Sequence, residues 1–383
     1  MDTLWNGAEG NLALRNGDLP SLVEMLRTQA DVKYDVVVPS SALVAEGGVI
    51  GVREGALELD EEGTSLRTAW LDPTPIFDKG IGARFDIPLK YVRAMRARPD
   101  LWDMNVNYWL GDEPTRRHLL RGFRTDDCEQ RGIARALLSD RYKPVDNLDI
   151  LLATLDGVRE AGVEVNIDGG DLTEANMNLR LVCPGVAEYA PDLLADYRSV
   201  HNGRSGNDLP HIFAGLVVKN SETGNGAFTI VPRLVVEVCS NGLQMTKDAV
   251  REIHLGGKLA DGVVKWSDDT SQKVLELITA KARDAVAAFV DVDYMRSVIA
   301  DLTELAGVTV VRPVETIQRL GKTCGWSEDE QDNILQHFIS GCDTSAFGVA
   351  QAVTSYAQVI ADGSRADELE VTALNAASMA VAV

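Results

Sequence analysis

The strand-like run Ile212-Phe213-Ala214-Gly215-Leu216-Val217-Val218, the polar crossing Lys219-Asn220-Ser221-Glu222-Thr223-Gly224-Asn225-Gly226 and the return from Ala227 to Val238 decide the fold. In the second arm the apolar residues recur at every second position, the period of a half-buried strand. Phe228, Ile230, Leu234, Val236 and Val238 share one face, while Thr229, Arg233 and Glu237 share the other. One face is therefore expected in a core and the other open to solvent or ligand. Pro232 has no N–H to give to a ladder, which predicts an edge or a bulge there. Cys239-Ser240-Asn241-Gly242 reads as an Asn-Gly turn that closes the arm.

Outward from this hairpin the pattern divides the chain into three regions. Residues 1–80 are short apolar pieces punctuated by Gly and Pro, a β-rich N-terminal region. Residues 81–265 form an α+β core. Within it Tyr91, Met95 and Arg98 have helical spacing up to Pro99, a second helix is predicted over Leu101 to Leu110, and Asp146-Asn147 is placed to cap a helix from Leu148 to Ala161. Residues 266–383 read as helical, with Val274, Leu277, Ile278, Ala282, Ala285 and Phe289 close to a 3.6 period. The stretch after Gly363 ends Ala-Ser-Met-Ala-Val-Ala-Val and is expected to pack weakly or fray. The predicted class is α+β: an antiparallel hairpin sheet with packed helices and a helical C-terminal region.

A chain of 383 residues can build two or three domains. Its net charge of −21 favours solubility and repels a bulk polyanion, although binding depends on the charge that faces the phosphates. The opening Met1 to Gly7 carries neither a basic nor an apolar leader, and no run approaches the ~18 apolar residues of a membrane span, so a cytoplasmic protein with no membrane contact is expected. Cys128, Cys183, Cys239, Cys324 and Cys342 are scattered and odd in number, which predicts reduced thiols rather than a disulfide framework or a zinc site.

Catalytic motifs are sparse. Gly321-Lys322-Thr323 ends like a phosphate-binding loop, but Thr316 stands where that loop needs its first glycine, so a helix end is the better reading. Gly80-Ile81-Gly82 has no third glycine. His118, His201, His211, His254 and His337 never fall three to five residues apart, so no metal or cofactor is expected. An enzyme assembled from distant residues would have Asp140, Asp146, His211 and Glu222 as its polar candidates, yet no catalytic site is visible.

A basic segment stands out instead. Residues 90–143 hold twelve Lys or Arg against eight Asp or Glu, so the rest of the chain carries −25. Arg117, Arg121 and Arg124 fall at i, i+4, i+7 and would share a helix face with Arg116 alongside. Tyr91, Trp102, Tyr108, Trp109, Phe123 and Tyr142 interleave with these cations, a mixture that can hold single strands through phosphate charge and base stacking, or can be a solvated face over an aromatic core. Asn220, Ser221, Glu222 and Gly224 make a loop longer than a tight turn needs, with Lys219 and Arg233 at its borders.

Several of these stretches resemble, in order, the phage- and plasmid-encoded domain-of-unknown-function family numbered nine hundred thirty-two. The matching pieces are Ile87-Pro88-Leu89-Lys90-Tyr91, Asn105-Val106-Asn107-Tyr108-Trp109-Leu110, Leu138 through Asn147, Asn220-Ser221-Glu222-Thr223-Gly224 and Cys239-Ser240-Asn241-Gly242-Leu243, with a weaker piece at Gln351 to Thr354. The resemblance implies a mobile-element origin and supplies no catalytic residues. The arrangement of elements is also distantly similar to single-strand annealing proteins of the Rad-fifty-two type, in which rings hold DNA backbone in a basic groove. Taken with the basic segment, these similarities give the expectation of a non-catalytic protein that binds single-stranded DNA in recombination or repair as a homo-oligomer; the segment itself would put Arg116, Arg117, Arg121, Arg124, Arg141 and Lys143 on phosphate, with Lys219 and Arg233 extending the surface. The contrasting expectation is an acidic interaction protein that inhibits or redirects a host defence or DNA-processing factor.

Overall fold

The computed structural model describes residues 13–60, 63–124, 131–252 and 268–381. Cys128, His254 and the opening Met1 to Gly7 lie outside the described residues, as do Ala382 and Val383. The first half runs β1 (Leu14–Gly17), α1 (Leu19–Asp31), β2 (Lys33–Pro39), β3 (Leu43–Glu46), β4 (Val49–Asp60), β5 (Gly63–Pro73), α2 (Pro75–Phe85), α3 (Leu89–Met95), α4 (Pro99–Asp112), β6 (Arg117–Phe123), β7 (Gly132–Ser139) and α5 (Asn147–Ala161). It continues with β8 (Asn166–Leu172), β9 (Met177–Tyr189), α6 (Pro191–Leu194), β10 (His211–Asn220), β11 (Phe228–Val236), β12 (Asn241–Gln244) and β13 (Val250–Glu252). Helices α7 (Asp268–Phe289), α8 (Val292–Ala306), α9 (Pro313–Cys324), α10 (Glu328–Ser340), α11 (Ala346–Ala357) and α12 (Gly363–Ala380) follow. The fold is mixed α+β with a helical C-terminal region.

The strands form two sheets. One is antiparallel in the order β1-β8-β9-β10-β11-β12, with β13 also on β11; the other has the order β2-β6-β7-β5-β4-β3, and its β5 and β7 are parallel. Each sheet has its own apolar core. In the first, Ile212, Ala214, Leu216 and Val218 of β10 and Ile230, Leu234 and Val236 of β11 are buried in a cluster that includes Ile150 and Leu151 of α5 and Ile278, Ala282 and Ala285 of α7. Gly157 brings α5 onto α7, since a Cβ there would lie 2.4 Å from the Thr279 carbonyl oxygen. In the second, Phe77, Ile81 and Phe85 of α2, Val92 and Met95 of α3 and Trp102, Val106 and Leu110 of α4 cover Ile50, Leu71, Leu120 and Leu137.

The hairpin at 212–238 forms as its alternation predicts, with Val217 opposite Val231 and Ala214 opposite Leu234. Its second face is not open, however. Helix α12 lies over it, and Lys219 and Gln244 both bond to Asp367 of that helix, at 2.6 and 3.0 Å. A stretch expected to fray is therefore buried, with Ala373, Ala376 and Ala377 fully covered. The small side chains that make the sequence look weakly cohesive are what let α12 come close to its neighbours. Pro232 sits in an inner strand, but at the gap where β13 stops at Ile230 and β12 starts opposite Arg233, and its carbonyl takes the Met245 N–H at 2.9 Å. Its missing donor thus faces a break in the ladder. The turn into β12 is Glu237 to Ser240, with Ser240 at φ 56°, and Asn241-Gly242 already pair as strand.

The arginine-rich run is a strand rather than a helix. β6 pairs with β2 and β7 along its length. A spacing of four is even, so it keeps Arg117 and Arg121 on one side of a strand as well as on one face of a helix, and Arg124 falls on the opposite side. Tyr91 and Met95 are helical in α3, but Pro99 opens α4 at its first turn instead of ending a helix, where its missing N–H costs nothing. Gly80 and Gly82 lie inside α2, and Gly321-Lys322-Thr323 lies at the end of α9.

Candidate functional site

The loop between β10 and β11 is the joint between the two sheets. Asn220, Ser221 and Glu222 are buried, and Gly224, at φ 77°, is exposed at the tip. The Asn220 side-chain amide donates to the Val145 carbonyl and to Asn147 Oδ1, and Ser221 Oγ donates to the Ala175 carbonyl at 2.6 Å. Glu222 reaches the other sheet: one oxygen accepts from Arg135 of β7 at 2.8 Å, and the other accepts the backbone N–H of Asn147, the first residue of α5, at 2.6 Å. Lys79 of α2 holds Asn225 from outside at 2.5 Å.

Glu222 takes over a capping role that the order of residues assigns to Asp146. Asp146 does occupy the cap position of α5, but its carboxylate turns away to Lys33 at 2.5 Å and Arg121 at 2.6 Å. Arg121 is 1% exposed and donates also to Asp35 and to the Glu222 carbonyl. Burial works against its charge, yet Asp35 and Asp146 outweigh that and raise its pKa further. The same partners act in reverse on Asp146, where Arg121 and Lys33 overcome burial and lower the pKa. This is a charge-matched structural network.

A second polar layer lies beneath α12. Asp171 of β8 is clasped by Arg15 and by Arg180, which is itself in a very short contact with it. Arg233 is 3% exposed and pairs with Asp168 at 2.6 Å; Gly242 leaves it room, because a Cβ there would lie 1.8 Å from the guanidinium. Lys219 pairs with Asp367. Of the cations expected to meet phosphate, then, Arg121 and Arg233 are internal and Lys219 is committed to α12.

The others stay near the surface and, Arg124 apart, around one end of the second sheet. His118 of β6 pairs with Ser139 of β7, so Arg116 and Arg117 lie beside the turn that carries Asp140, Arg141 and Lys143. Arg116 bonds Glu113 at 2.7 Å, Arg117 reaches the Val37 carbonyl at 3.4 Å, Arg141 is exposed, and Lys143 is half-buried. Arg124 lies away from them and stacks on Tyr34 at 5.4 Å. A residue not singled out by sequence completes the group: Arg84, at the end of α2, which donates to the Arg117 carbonyl and to His118 Nδ1 at 3.2 Å. Burial, and then its nearness to Arg116, lower its pKa.

His118 is fully buried, and its other ring nitrogen lies 2.8 Å from Ser40 Oγ. Because Arg84 donates to Nδ1, the proton of the neutral ring is on Nε2, so the ring donates to Ser40 and cannot take its proton. Burial, then Arg84 and Arg116, push the His118 pKa down to about 4. A serine nucleophile is thus excluded at this contact. Between the ends of α2 and α4 opens a cleft of about 360 Å³, lined by Arg84, Phe85, Trp109, Asp112, Glu113 and Arg116 among others.

The remaining polar candidates do not converge into one site. Asp146 and Glu222 meet only through Arg121 and the start of α5; His211 pairs with Glu237 on the first sheet, and Asp140 lies beside Arg84. Among the described residues no group of three or more metal-binding side chains exists, Cys183, Cys239, Cys324 and Cys342 form no disulfide, and no helix is long and apolar enough to cross a membrane. No family model, curated protein or solved structure matches this chain. The phage- and plasmid-family resemblance rests on the quoted residues alone, and the annealing-protein similarity on the order of elements alone.

Proposed function

We propose that the chain is a non-catalytic protein that binds single-stranded DNA in the recombination or repair of a phage or plasmid, and that it does so with a smaller surface than the sequence suggests. The observation that carries this reading is the grouping of Arg84, Arg116, Arg117, Arg141 and Lys143 at one end of the second sheet, next to the exposed ring of Tyr108 and the partly exposed Trp109. Cations that meet phosphate and flat rings that accept a base are the two elements of sequence-tolerant strand binding. Annealing requires no bond-making step. The reading is tested by anisotropy of a labelled single-stranded oligonucleotide across a salt series. Five phosphate contacts would give a log–log slope of about −3.5, against about −5.6 for the eight cations named from sequence. Absence of binding at low salt would refute it.

The acidic interaction reading is favoured by a different observation. Asp86, Asp112, Glu113 and Asp140 surround the same cations, and Met104 and Tyr108 are 63% and 66% exposed on α4. A protein partner would use that apolar face, and its capture with no DNA affinity would replace the first reading.

A further inference from the structure

Arg84 is a half-buried cation of this surface. It forms no ion pair among the described residues; its guanidinium donates to a neutral imidazole and a backbone carbonyl, next to a second guanidinium, that of Arg116. Glu113 pairs with Arg116 at 2.7 Å, whereas Arg84 has no carboxylate at ion-pair distance among the described residues and is free to hold a further anion. Arg suits a phosphate in particular, because its planar fork presents parallel donors to two oxygens. The cleft that these two residues line is also walled by Phe85 and Trp109, and carries the Asp86, Asp112 and Glu113 carboxylates. A ligand for it has an anionic head, a flat apolar ring, and N–H or O–H groups for the carboxylates. Its volume of about 360 Å³ lies in the small-ligand range of roughly 300–1,000 Å³.

We infer that the cleft between α2 and α4 is a nucleotide pocket, in which Arg84 and Arg116 hold a phosphomonoester and Trp109 flanks the base. This rests in part on the strand-binding reading, since the phosphomonoester is either the 5′ end of a bound strand or a free nucleotide. The assignment makes Arg84 the residue that discriminates a terminal phosphate from a hydroxyl. Asp112 then accepts from the base or the sugar, and Glu113, already on Arg116, keeps that guanidinium turned toward the cleft.

Isothermal calorimetry on the full chain tests it with AMP, adenosine and inorganic phosphate as separate probes. Saturable AMP binding, at least tenfold tighter than either adenosine or phosphate, is expected. Arg84→Gln should weaken AMP at least tenfold and leave adenosine unchanged, whereas Trp109→Leu should weaken both, so a general folding defect would not reproduce the pair of results. No saturable AMP binding, or AMP affinity unchanged in Arg84→Gln, overturns the pocket. Matched 5′-phosphorylated and 5′-hydroxyl oligonucleotides separate the sources: a preference for the phosphorylated strand identifies a strand end, and equal affinity with AMP bound identifies a free nucleotide. Oligonucleotide binding without AMP binding overturns the pocket alone; AMP binding without oligonucleotide binding upholds the pocket and removes the strand.

Discussion

Glu222→Ala tests whether the β10–β11 loop is a joint or a ligand surface. The substitution strips two contacts at once: the Arg135 ion pair at 2.8 Å and the Asn147 N–H at 2.6 Å. Arg135 is 4% exposed, and its Nε already lacks a partner, so its charge would be left in the interior against the Phe123 ring, 4.5 Å away, without its direct carboxylate partner and with Glu174 nearby. Removing one side of a buried pair costs about 3–5 kcal/mol, and an orphaned buried N–H adds about 1–3 kcal/mol. Because the two losses share one side chain, a total of about 4–6 kcal/mol is expected, a large part of the roughly 5–15 kcal/mol by which a domain is stable. Glu222→Gln keeps an oxygen for only one of the two donors, turns its NH2 toward the other and loses the charge, so most of the effect is expected. Urea unfolding followed by tryptophan fluorescence reads both. A loss below about 1 kcal/mol in Glu222→Ala, with the fold intact, would refute the idea that this carboxylate joins the sheets.

Three further outcomes follow from particular contacts. The neutral His118 binds its proton more readily in the unfolded chain, at an ordinary pKa near 6.5, than in the fold at about 4, so stability should fall as pH drops from 6.5 to 4, by about 3 kcal/mol at most; unfolding curves at about pH 5 and pH 7 should differ less in His118→Gln than in the parent. Gly242→Ala should push the Arg233 guanidinium off Asp168 and cost about 2 kcal/mol or more, read as a lower urea midpoint. In the salt series, Arg116→Ala with Arg117→Ala should make the slope shallower by about 1.4, while Arg124→Ala should leave it unchanged.

The period-two pattern of 212–238, the helix at 148–161 and the helical C-terminal region are legible in the sequence because each is a long apolar repeat whose period is set by backbone geometry. The basic run is not. Its spacing of four fits both periods, and the flanking Leu119-Leu120 and Gly122-Phe123, buried on both sides, are the signal for an inner strand. Charge by itself points outward, so Arg121 and Arg233 read as surface; a single sequence gives no sign of the carboxylates Asp35, Asp146 and Asp168, which lie 86, 25 and 65 residues from their partners. The Asn220 to Gly224 loop stands out in sequence as more than a turn, and its role in the structure is internal. Arg84 escapes a sequence reading because it stands alone at the end of α2, outside any motif, and acquires its neighbours only when β6 folds beside it.

Helix α12 covers charges on strands that are synthesised long before it. Until Gly363–Ala380 leaves the ribosome, Arg180, Lys219, Arg233 and Gln244 lie on a sheet face that is open to water and to polyanions in the cell, nucleic acid among them. A nascent chain truncated before residue 363 would therefore present a charged face on which Arg180 and Arg233 keep Asp171 and Asp168 while Lys219 lacks Asp367, and its chaperone contacts during translation should differ from those of the released protein.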